Sequence, residues 1–90
     1  MTNSCFVCGY DLGVAPWEDD EPSHEICPSR GIHFGYDDMA GGKKEMRFYI
    51  YLGWRGKWKV DGMKWWSEGQ SQPKNWNPNE QLKNIPEEYR

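Results

Sequence analysis

Two short segments in the first third of the chain repeat one pattern, and this repeat constrains the fold more than any other feature. Each segment begins with a cysteine and reaches a glycine four residues later, as Cys5–Gly9 (CFVCG) and as Cys27–Gly31 (CPSRG). The first segment is a complete C-x-x-C-G knuckle, whereas in the second Arg30 stands where a fourth cysteine would complete a zinc site. Two such knuckles separated by about twenty residues are typical of a small fold organised around a metal ion.

The knuckles leave the metal content open between two alternatives. A structural zinc site needs four tetrahedral ligands, which are cysteine thiolates or histidine nitrogens. Three ligands are available from the cysteines of the two segments: Cys5, Cys8 and Cys27. Arg30 at the fourth ligand position favours the interpretation that the metal has been lost. Its guanidinium stays protonated near neutral pH and repels a divalent cation. The alternative is a zinc ion held by the three cysteines and by water, His24 or His33.

The amino-acid composition predicts one small domain with a core built from aromatic rings. The chain has 90 residues, which suffices for a single hydrophobic core. It contains six Trp, five Tyr and three Phe, whereas aliphatic residues are scarce. We divide the predicted domain into a ribbon-like part (1–42), a helix with a Trp-rich packing segment (43–66), and a loop with a short C-terminal helix (67–90).

The first half of the chain has the pattern of hairpin arms around the knuckles. Ile32, Phe34 and Tyr36 alternate with His33 and Gly35, which predicts a strand with one apolar face. Residues 16–23 contain four consecutive acidic residues between two prolines, which predicts an exposed loop. The second knuckle would then form the tip of a hairpin, as in an arm of a zinc ribbon.

The second half of the chain favours two helices. Side chains recur at helical spacing between residues 43 and 61, and Asp61-Gly62 is a typical helix stop. Further on, Asn77, Pro78 and Glu80 have the pattern of an N-cap, a first helical position and a capping box. The predicted fold is small and α+β: a zinc-ribbon-like hairpin with a degenerate knuckle pair, packed on a central helix and a short C-terminal helix.

The distribution of charge favours a basic protein partner. The net charge is −3, with acidic residues concentrated in the first half of the chain and basic residues in the second. An acidic surface accelerates association with a basic partner through electrostatic steering. The predicted contact surface combines acidic residues that flank the ribbon with one tryptophan as its apolar centre: Trp17, Glu18, Asp19, Asp20, Glu21, Asp37 and Asp38.

Two other function classes have weaker support. The cysteines and histidines offer a thiol and a base, but nothing supplies an oxyanion hole or a third orienting group, so we predict no enzymatic activity. Residues 54–59 (WRGKWK) interleave rings and cations as nucleic-acid stacking sites do. The net negative charge argues against that partner, because phosphate contacts dominate such affinity. A structural zinc-ribbon protein that binds nucleic acid or another cellular partner is therefore the alternative function.

The first residues and the hydropathy pattern favour a cytoplasmic protein that does not enter a membrane. Met1–Ser4 lead directly into the first knuckle, without the apolar segment of a signal peptide. No apolar run approaches transmembrane length. A C-x-x-C pair in an unexported chain indicates a metal or redox site and not a disulfide framework.

Several runs of sequence resemble the bacterial cysteine-rich CPCC family. They lie at both ends of the chain: 5–10 (CFVCGY), 24–28 (HEICP), 31–38 (GIHFGYDD), 64–66 (KWW) and 75–85 (NWNPNEQLKNI). Members of that family are small zinc-ribbon-like proteins of mostly unassigned function, and they usually carry a cysteine at the position of Arg30. The resemblance implies a helix between the ribbon and Trp65-Trp66. Because some members look like neighbours of bacterial toxin genes, it also implies an immunity or antitoxin role.

Overall fold

One long helix packs against two cysteine knuckles in the computed structural model, which describes residues 3–90. The elements in chain order are strands β1 (Trp17–Glu18) and β2 (Glu21–Pro22) and helices α1 (Arg47–Val60) and α2 (Pro78–Gln81). Short 3₁₀ turns lie at Ala40–Gly42, Lys44–Met46, Leu82–Asn84 and Glu87–Tyr89. The chain is thus a small α+β protein, and none of the helices within residues 3–90 is long and apolar enough to cross a membrane.

The two knuckles have the same backbone hydrogen bonds despite their different sequences. The Gly9 amide donates to the carbonyl of Cys5 (2.9 Å), and the Gly31 amide donates to that of Cys27 (2.6 Å). In each turn, the amide of the first cysteine donates to the carbonyl five residues later, at 2.8 and 2.9 Å. Both glycines adopt a positive φ, 83° and 92°, which a side chain would strain. The repeat in the sequence therefore corresponds to a repeat in the backbone, with or without a fourth cysteine.

The predicted strand over Ile32–Tyr36 is wrong. In the described part of the chain, each knuckle is flanked only by a single antiparallel bridge, Ser4 with Asp11 and Ile26 with His33, and the chain turns at once after His33. The turn forms because side-chain carboxylates accept the amides that a strand would use. Asp37 accepts from the His33 amide (2.8 Å), and the next residue, Asp38, accepts from the Gly35 amide (2.7 Å). Ile32 and Phe34 are buried as predicted, but Tyr36 is 75% exposed.

The acidic segment predicted as an exposed loop is exposed, but it is an ordered β-hairpin. Trp17 pairs with Pro22 and Glu18 with Glu21 in antiparallel register. The two-residue turn between them is formed by Asp19 and Asp20, and Asp19 has a φ of 53°. Aspartate tolerates this left-handed conformation better than most residues, so the acidic turn has a local structural cause.

The central helix is confirmed. It was predicted over residues 43–61; α1 occupies Arg47–Val60 and is preceded by the 3₁₀ turn Lys44–Met46. It ends at Asp61, and Gly62 follows with a φ of 94°, as expected of a helix stop. One stripe of the helix is buried against the knuckles, with members three or four residues apart: Arg47, Tyr51, Arg55 and Trp58.

The C-terminal helix is also confirmed, although it is short. The Asn77 side chain accepts a hydrogen bond from the Glu80 amide (3.2 Å), and Pro78 occupies the first turn. After Gln81 the helix tightens into the 3₁₀ turn Leu82–Asn84. The cap thus fixes where this segment begins, next to the first knuckle.

Of the residues that the structure describes, aromatic rings are four of the nine buried residues of the core cluster and five of the eight partly buried residues packed against it. The ring of Phe6 stacks on that of Tyr89 with centroids 4.2 Å apart. It also makes edge contacts with Tyr51 (5.4 Å) and Phe34 (5.9 Å). Contacts of this kind stabilise beyond the area that they bury. Phe6, which follows the first cysteine of the first knuckle, is therefore the centre of a cluster of rings that joins α1 to the C-terminal turn.

Substitution of Gly9 tests how closely α2 approaches the first knuckle. A Cβ at Gly9 would lie 2.0 Å from the carbonyl oxygen of Gln81, and its φ of 83° strains any side chain. We expect Gly9→Ala to destabilise the protein by about 3 kcal/mol, since strain and overpacking add. Gly56→Ala is the control, because that α1 position has no atom within 4 Å of an added Cβ. It should stabilise by about 1 kcal/mol in the same urea titration. Equal effects of the two variants would contradict the close approach.

Candidate metal centre

The three cysteines meet at the junction of the two knuckles. Their sulfur atoms all lie within 4.8 Å of one another, and the Sγ atoms of Cys8 and Cys27 are 3.5 Å apart. All three side chains are fully buried. In a tetrahedral zinc site with Zn–S distances near 2.3 Å, the sulfurs are about 3.8 Å apart. The cluster, Cys5 with Cys8 and Cys27, therefore fits three corners of such a site, and a zinc ion there would cross-link the two knuckles.

The cluster concentrates negative charge on Cys8. Burial opposes ionisation of this thiol, but hydrogen bonds from Cys27, Cys5, the Ser29 hydroxyl and the Tyr10 amide outweigh it and hold its pKa well below the ordinary value. Such donors are typical around thiolates that bind a metal or act as nucleophiles. Without a metal, the cluster would therefore ionise first at Cys8.

The surroundings of the other two sulfurs raise their pKa values. Burial, together with the neighbouring sulfurs, raises the pKa of Cys5 well above its ordinary value. For Cys27 the hydrogen bond with Cys5 favours ionisation, but the contact with Cys8 and burial raise the pKa by more. Three adjacent thiolates repel one another unless a cation lies between them. Binding of a metal would therefore release protons from Cys5 and Cys27.

Arg55 places a positive charge beside the cluster. Its side chain is 7% exposed, and it donates from Nε to the carbonyl of Val7 (2.8 Å) and from Nη2 to that of Phe6 (2.8 Å). A third bond joins Nη2 to the carbonyl of Tyr89 (2.5 Å). Burial lowers the pKa of Arg55, whereas the charges of the two sulfurs of the first knuckle counteract this. Among the described residues Arg55 forms no ion pair with a carboxylate, so the sulfurs of the first knuckle are the groups that favour its charged form.

Gln81 ties the C-terminal segment to both knuckles. Its Nε2 donates to the carbonyl of Cys8 (3.1 Å) and to the hydroxyl of Ser29 (3.1 Å), and its Oε1 accepts from the indole of Trp76 (2.7 Å). One amide therefore connects α2 with the first knuckle, the second knuckle and Trp76. With its backbone carbonyl against Gly9, this residue closes the side of the cluster formed by α2.

Sequence reasoning did not identify Ser29, Arg55 or Gln81 as parts of this site. Ser29 has a usable signal, since the equivalent position of the first knuckle is the apolar Val7. Arg55 has another, because it is a cation on the buried stripe of α1. Gln81 has none, because its partners in the two knuckles are more than fifty residues away in the chain.

Arg30 does not point its charge into the cluster. Its Nε donates to the carbonyl of Trp54 on α1 (3.3 Å), and its guanidinium carbon lies 4.8 Å from the centroid of the Trp54 ring. Only its backbone amide contributes to the site, as a donor to the sulfur of Cys27. The guanidinium of Arg30 therefore does not occupy the fourth corner of the site. Repulsion by its charge is no longer a reason to expect loss of the metal.

Neither candidate histidine lies at the cluster. Among the described residues, only the three cysteines form a group of potential metal ligands within 4.8 Å of one another. The rings of His24 and His33 instead approach each other with centroids 6.2 Å apart, and His33 stacks on Tyr36 at 5.6 Å. A metal ion in this arrangement would have three protein ligands and a fourth position for water.

The predicted contact surface divides into exposed and buried members. The hairpin residues Glu18–Glu21 are exposed, and Asp37 is half-buried. Asp38 is a correction: it is fully buried and accepts hydrogen bonds from the Tyr51 hydroxyl (2.5 Å) and the Trp17 indole (2.8 Å). Its carboxylate thus satisfies core donors and does not face a partner. Burial and this carboxylate together raise the pKa of Tyr51, which keeps its hydroxyl protonated as the donor.

Trp17, predicted as the apolar centre of the contact surface, connects the base of the hairpin to the core. Besides its bond to Asp38, the indole ring lies under the guanidinium of Arg47, whose carbon is 3.6 Å from the ring centroid. The ring is half-buried and packs against the core cluster. Residues 54–59, predicted as a possible nucleic-acid stacking site, are also partly buried. Arg55 and Trp58 are only 7% and 3% exposed.

No family model matches the chain, and neither the search of curated proteins nor the search of solved structures gives a match. The chemistry of the site therefore rests on its geometry alone.

Metal titration tests the cluster. We expect the reduced protein to bind one Co²⁺ or Zn²⁺ per chain, with sulfur-to-cobalt charge-transfer absorption, because three sulfurs already lie near tetrahedral spacing. Cys8→Ser should abolish the absorption. His24→Ala and His33→Ala should leave it unchanged, since neither ring is at the cluster. Absence of metal uptake by folded, fully reduced protein would contradict the fit, and loss of binding in either histidine variant would contradict the three-cysteine ligand set.

A comparison of two adjacent aspartates tests the buried carboxylate. Asp38→Ala leaves the Tyr51 hydroxyl, the Trp17 indole and a backbone amide without their acceptor, so we expect a loss of about 3–5 kcal/mol in unfolding free energy. Asp37→Ala removes one hydrogen bond at a half-buried position and should cost about 1 kcal/mol. Urea unfolding monitored by tryptophan fluorescence measures both. Similar losses for the two variants would show that Asp38 does not have this structural role.

Proposed function

We propose that this chain is a protein-binding module of the immunity or antitoxin type, which neutralises a basic bacterial toxin domain through an acidic hairpin. The observation that carries the proposal is the β1–β2 hairpin, whose four consecutive residues Glu18–Glu21 are all acidic and exposed. A single acidic loop is often only solvated. Here the acidic residues occupy a turn with fixed register, so their charges have a defined geometry.

Contacts with the core hold the base of the hairpin in place. The Trp17 indole donates a hydrogen bond to the buried Asp38, and the guanidinium of Arg47 lies over the Trp17 ring. These contacts order the base of the hairpin before any partner arrives. A preordered acidic tip loses less conformational entropy on binding than a flexible one, which favours affinity.

An apolar groove lies next to the acidic tip and completes the surface. Its cavity of about 540 Å³ is lined by Ala40, Gly41, Lys43, Met46, Tyr49 and Ile50. Met46 and Tyr49 are 44% and 62% exposed. Lys44, in the same turn as Met46, forms an ion pair with Asp20 at the hairpin tip and thereby lowers the pKa of Asp20. An apolar centre with a charged rim is the usual composition of a protein interface.

The remaining features support a structural and not a catalytic role for the cysteines. All three sulfurs are fully buried beneath rings of the core, so no substrate reaches them in this arrangement. The resemblance to the CPCC family, with its toxin-gene neighbours, agrees with an immunity role. On this proposal the protein acts in the cytoplasm, where an immunity protein meets the toxin of its own cell.

Charge reversal at the hairpin tip tests the proposal in a binding assay with a purified basic toxin domain. We expect Asp19→Lys with Asp20→Lys to weaken binding by at least about tenfold and to reduce the association rate, because steering charges act mainly on that rate. The matched control reverses Glu87 and Glu88 to Lys, which changes the net charge equally at exposed residues of the C-terminal turn. Tyr49→Ala should weaken binding through the apolar groove.

Two results would overturn the proposal. Equal loss in the hairpin variant and in the C-terminal variant would show that only net charge matters. Unchanged binding in the hairpin variant would place the interface elsewhere on the molecule.

A further inference from the structure

A second groove lies where the second knuckle meets α1, among residues that the acidic hairpin does not use. It encloses about 390 Å³, which is within the usual range for a small-molecule site. Two tryptophans, two cations and two glycines line it: Trp54, Trp66, Arg30, Lys57, Gly31 and Gly53. Neither the cysteine cluster nor the proposed toxin-binding surface accounts for this combination.

One wall of the groove is the ring of Trp66, and the backbone holds it in place. The Trp66 amide donates to the carbonyl of Ser29 (3.2 Å), and the next amide, of Ser67, donates to that of Pro28 (2.8 Å). The ring lies so close to Gly31 that an added Cβ would be 2.6 Å from its Cε2 atom. Yet the residue is 52% exposed. A large ring that is fixed on one side and open on the other offers a stacking surface.

The opposite wall belongs to α1. Trp54 is half-buried, and a Cβ added at the neighbouring Gly53 would meet no atom within 4 Å. Glycine inside a helix costs about 1 kcal/mol relative to alanine, so this residue is not explained by helix stability. It leaves the groove open beside Trp54.

The groove is positively charged although the chain is acidic. A second cavity of about 250 Å³ shares Arg30 and Trp66 with the first and adds Lys64 and Asp61 to the lining. Three cations, Arg30, Lys57 and Lys64, thus face one acid, Asp61, which leaves two positive charges here against −3 for the whole chain. Asp61 already pairs with Lys57 (3.0 Å).

Arg30 has donors to spare for an anion. Within residues 3–90 only its Nε has an acceptor, the carbonyl of Trp54, and the guanidinium carbon lies 4.8 Å from the centroid of the Trp54 ring. No carboxylate of the described residues forms an ion pair with it. A planar guanidinium with free terminal nitrogens is suited to bidentate recognition of phosphate or carboxylate.

We propose that this groove binds a small planar aromatic anion of the nucleoside monophosphate class. The ring of the ligand stacks on the exposed indole of Trp66, and its phosphate meets Arg30 and Lys57. Stacking on tryptophan is tolerant of the ring's identity, whereas the two cations require the anionic group. The ligand class therefore follows from three features of one groove: an open ring, the free terminal nitrogens of Arg30, and a net positive charge that remains although Lys57 pairs with Asp61.

The test separates the two halves of the ligand. Binding of AMP, adenosine and ribose 5-phosphate is measured by isothermal titration calorimetry and by quenching of tryptophan fluorescence. We expect AMP to bind at least about tenfold more tightly than either half, because stacking and a charge-assisted hydrogen bond each contribute roughly a factor of ten. AMP binding no stronger than that of ribose 5-phosphate would overturn the proposal, because it would show only attraction between charges.

Three variants locate the site on the intact protein. Arg30→Gln, Lys57→Gln and Trp66→Ala should each weaken AMP binding by about tenfold. Lys59→Gln is the matched control for Lys57→Gln, since both lysines are exposed on the same turn of α1 but only Lys57 lines the groove. Lys59→Gln should leave binding unchanged. Far-UV circular dichroism checks that each variant is folded.

Equal weakening by the two lysine variants would overturn the groove as the site, and so would unchanged binding in Lys57→Gln. Neither outcome touches the proposed immunity function, because none of these residues belongs to the acidic hairpin. In turn, charge reversal of the hairpin should leave AMP binding unchanged.

Discussion

The structure depends on burying three thiols at the point where two knuckles meet. Thiolates that close together repel one another, so a cation beside the cluster stabilises any negative charge that forms there. Arg55 supplies one from α1, and its guanidinium also fixes the carbonyls of Phe6 and Val7 within the first knuckle. The position of the central helix is thereby coupled to the charge of the cluster. A zinc ion bound by three thiolates would carry a net charge of −1, which Arg55 would neutralise.

Hydrogen bonds of a few polar side chains connect the knuckles and the core to the rest of the chain. Gln81 binds the first knuckle at Cys8 and the second at Ser29, and Gly9 lets α2 approach within van der Waals distance. Asp38 performs a similar task at the other end of the core, where it joins Tyr51 of α1 to Trp17 of the hairpin. Gln81 and Asp38 are thus polar side chains that hydrogen-bond to groups from separate segments, Gln81 mainly as a donor and Asp38 as an acceptor. In a chain with few aliphatic residues, such polar links contribute specificity that a small ring-built core does not supply alone.

Features encoded locally were predictable from the sequence, and features that depend on distant partners were not. The knuckle turns, the extent of α1 and the Asn77 cap follow from a few consecutive residues, so pattern reasoning finds them. The strand over Ile32–Tyr36 failed because alternation measures which side chains are apolar and not what accepts the backbone amides. There the acceptors are Asp37 and Asp38, and the burial of Asp38 depends on Tyr51 and Trp17, which lie 13 and 21 residues away. The cysteine cluster was predictable as a set, but the side chains that complete its surroundings were not.

Arg30 connects the cluster to the surface. The backbone of the second knuckle is unchanged by this residue, because the turn is formed by amides and carbonyls and by the positive φ of Gly31. The side chain is therefore free to leave the site, and α1 receives it through the ring and carbonyl of Trp54. A cysteine here would supply a fourth sulfur and no positive charge to the groove. An arginine removes the sulfur and adds the donor that the groove needs for an anion. One position thus determines both how many protein ligands the cluster offers and what the neighbouring groove is able to bind.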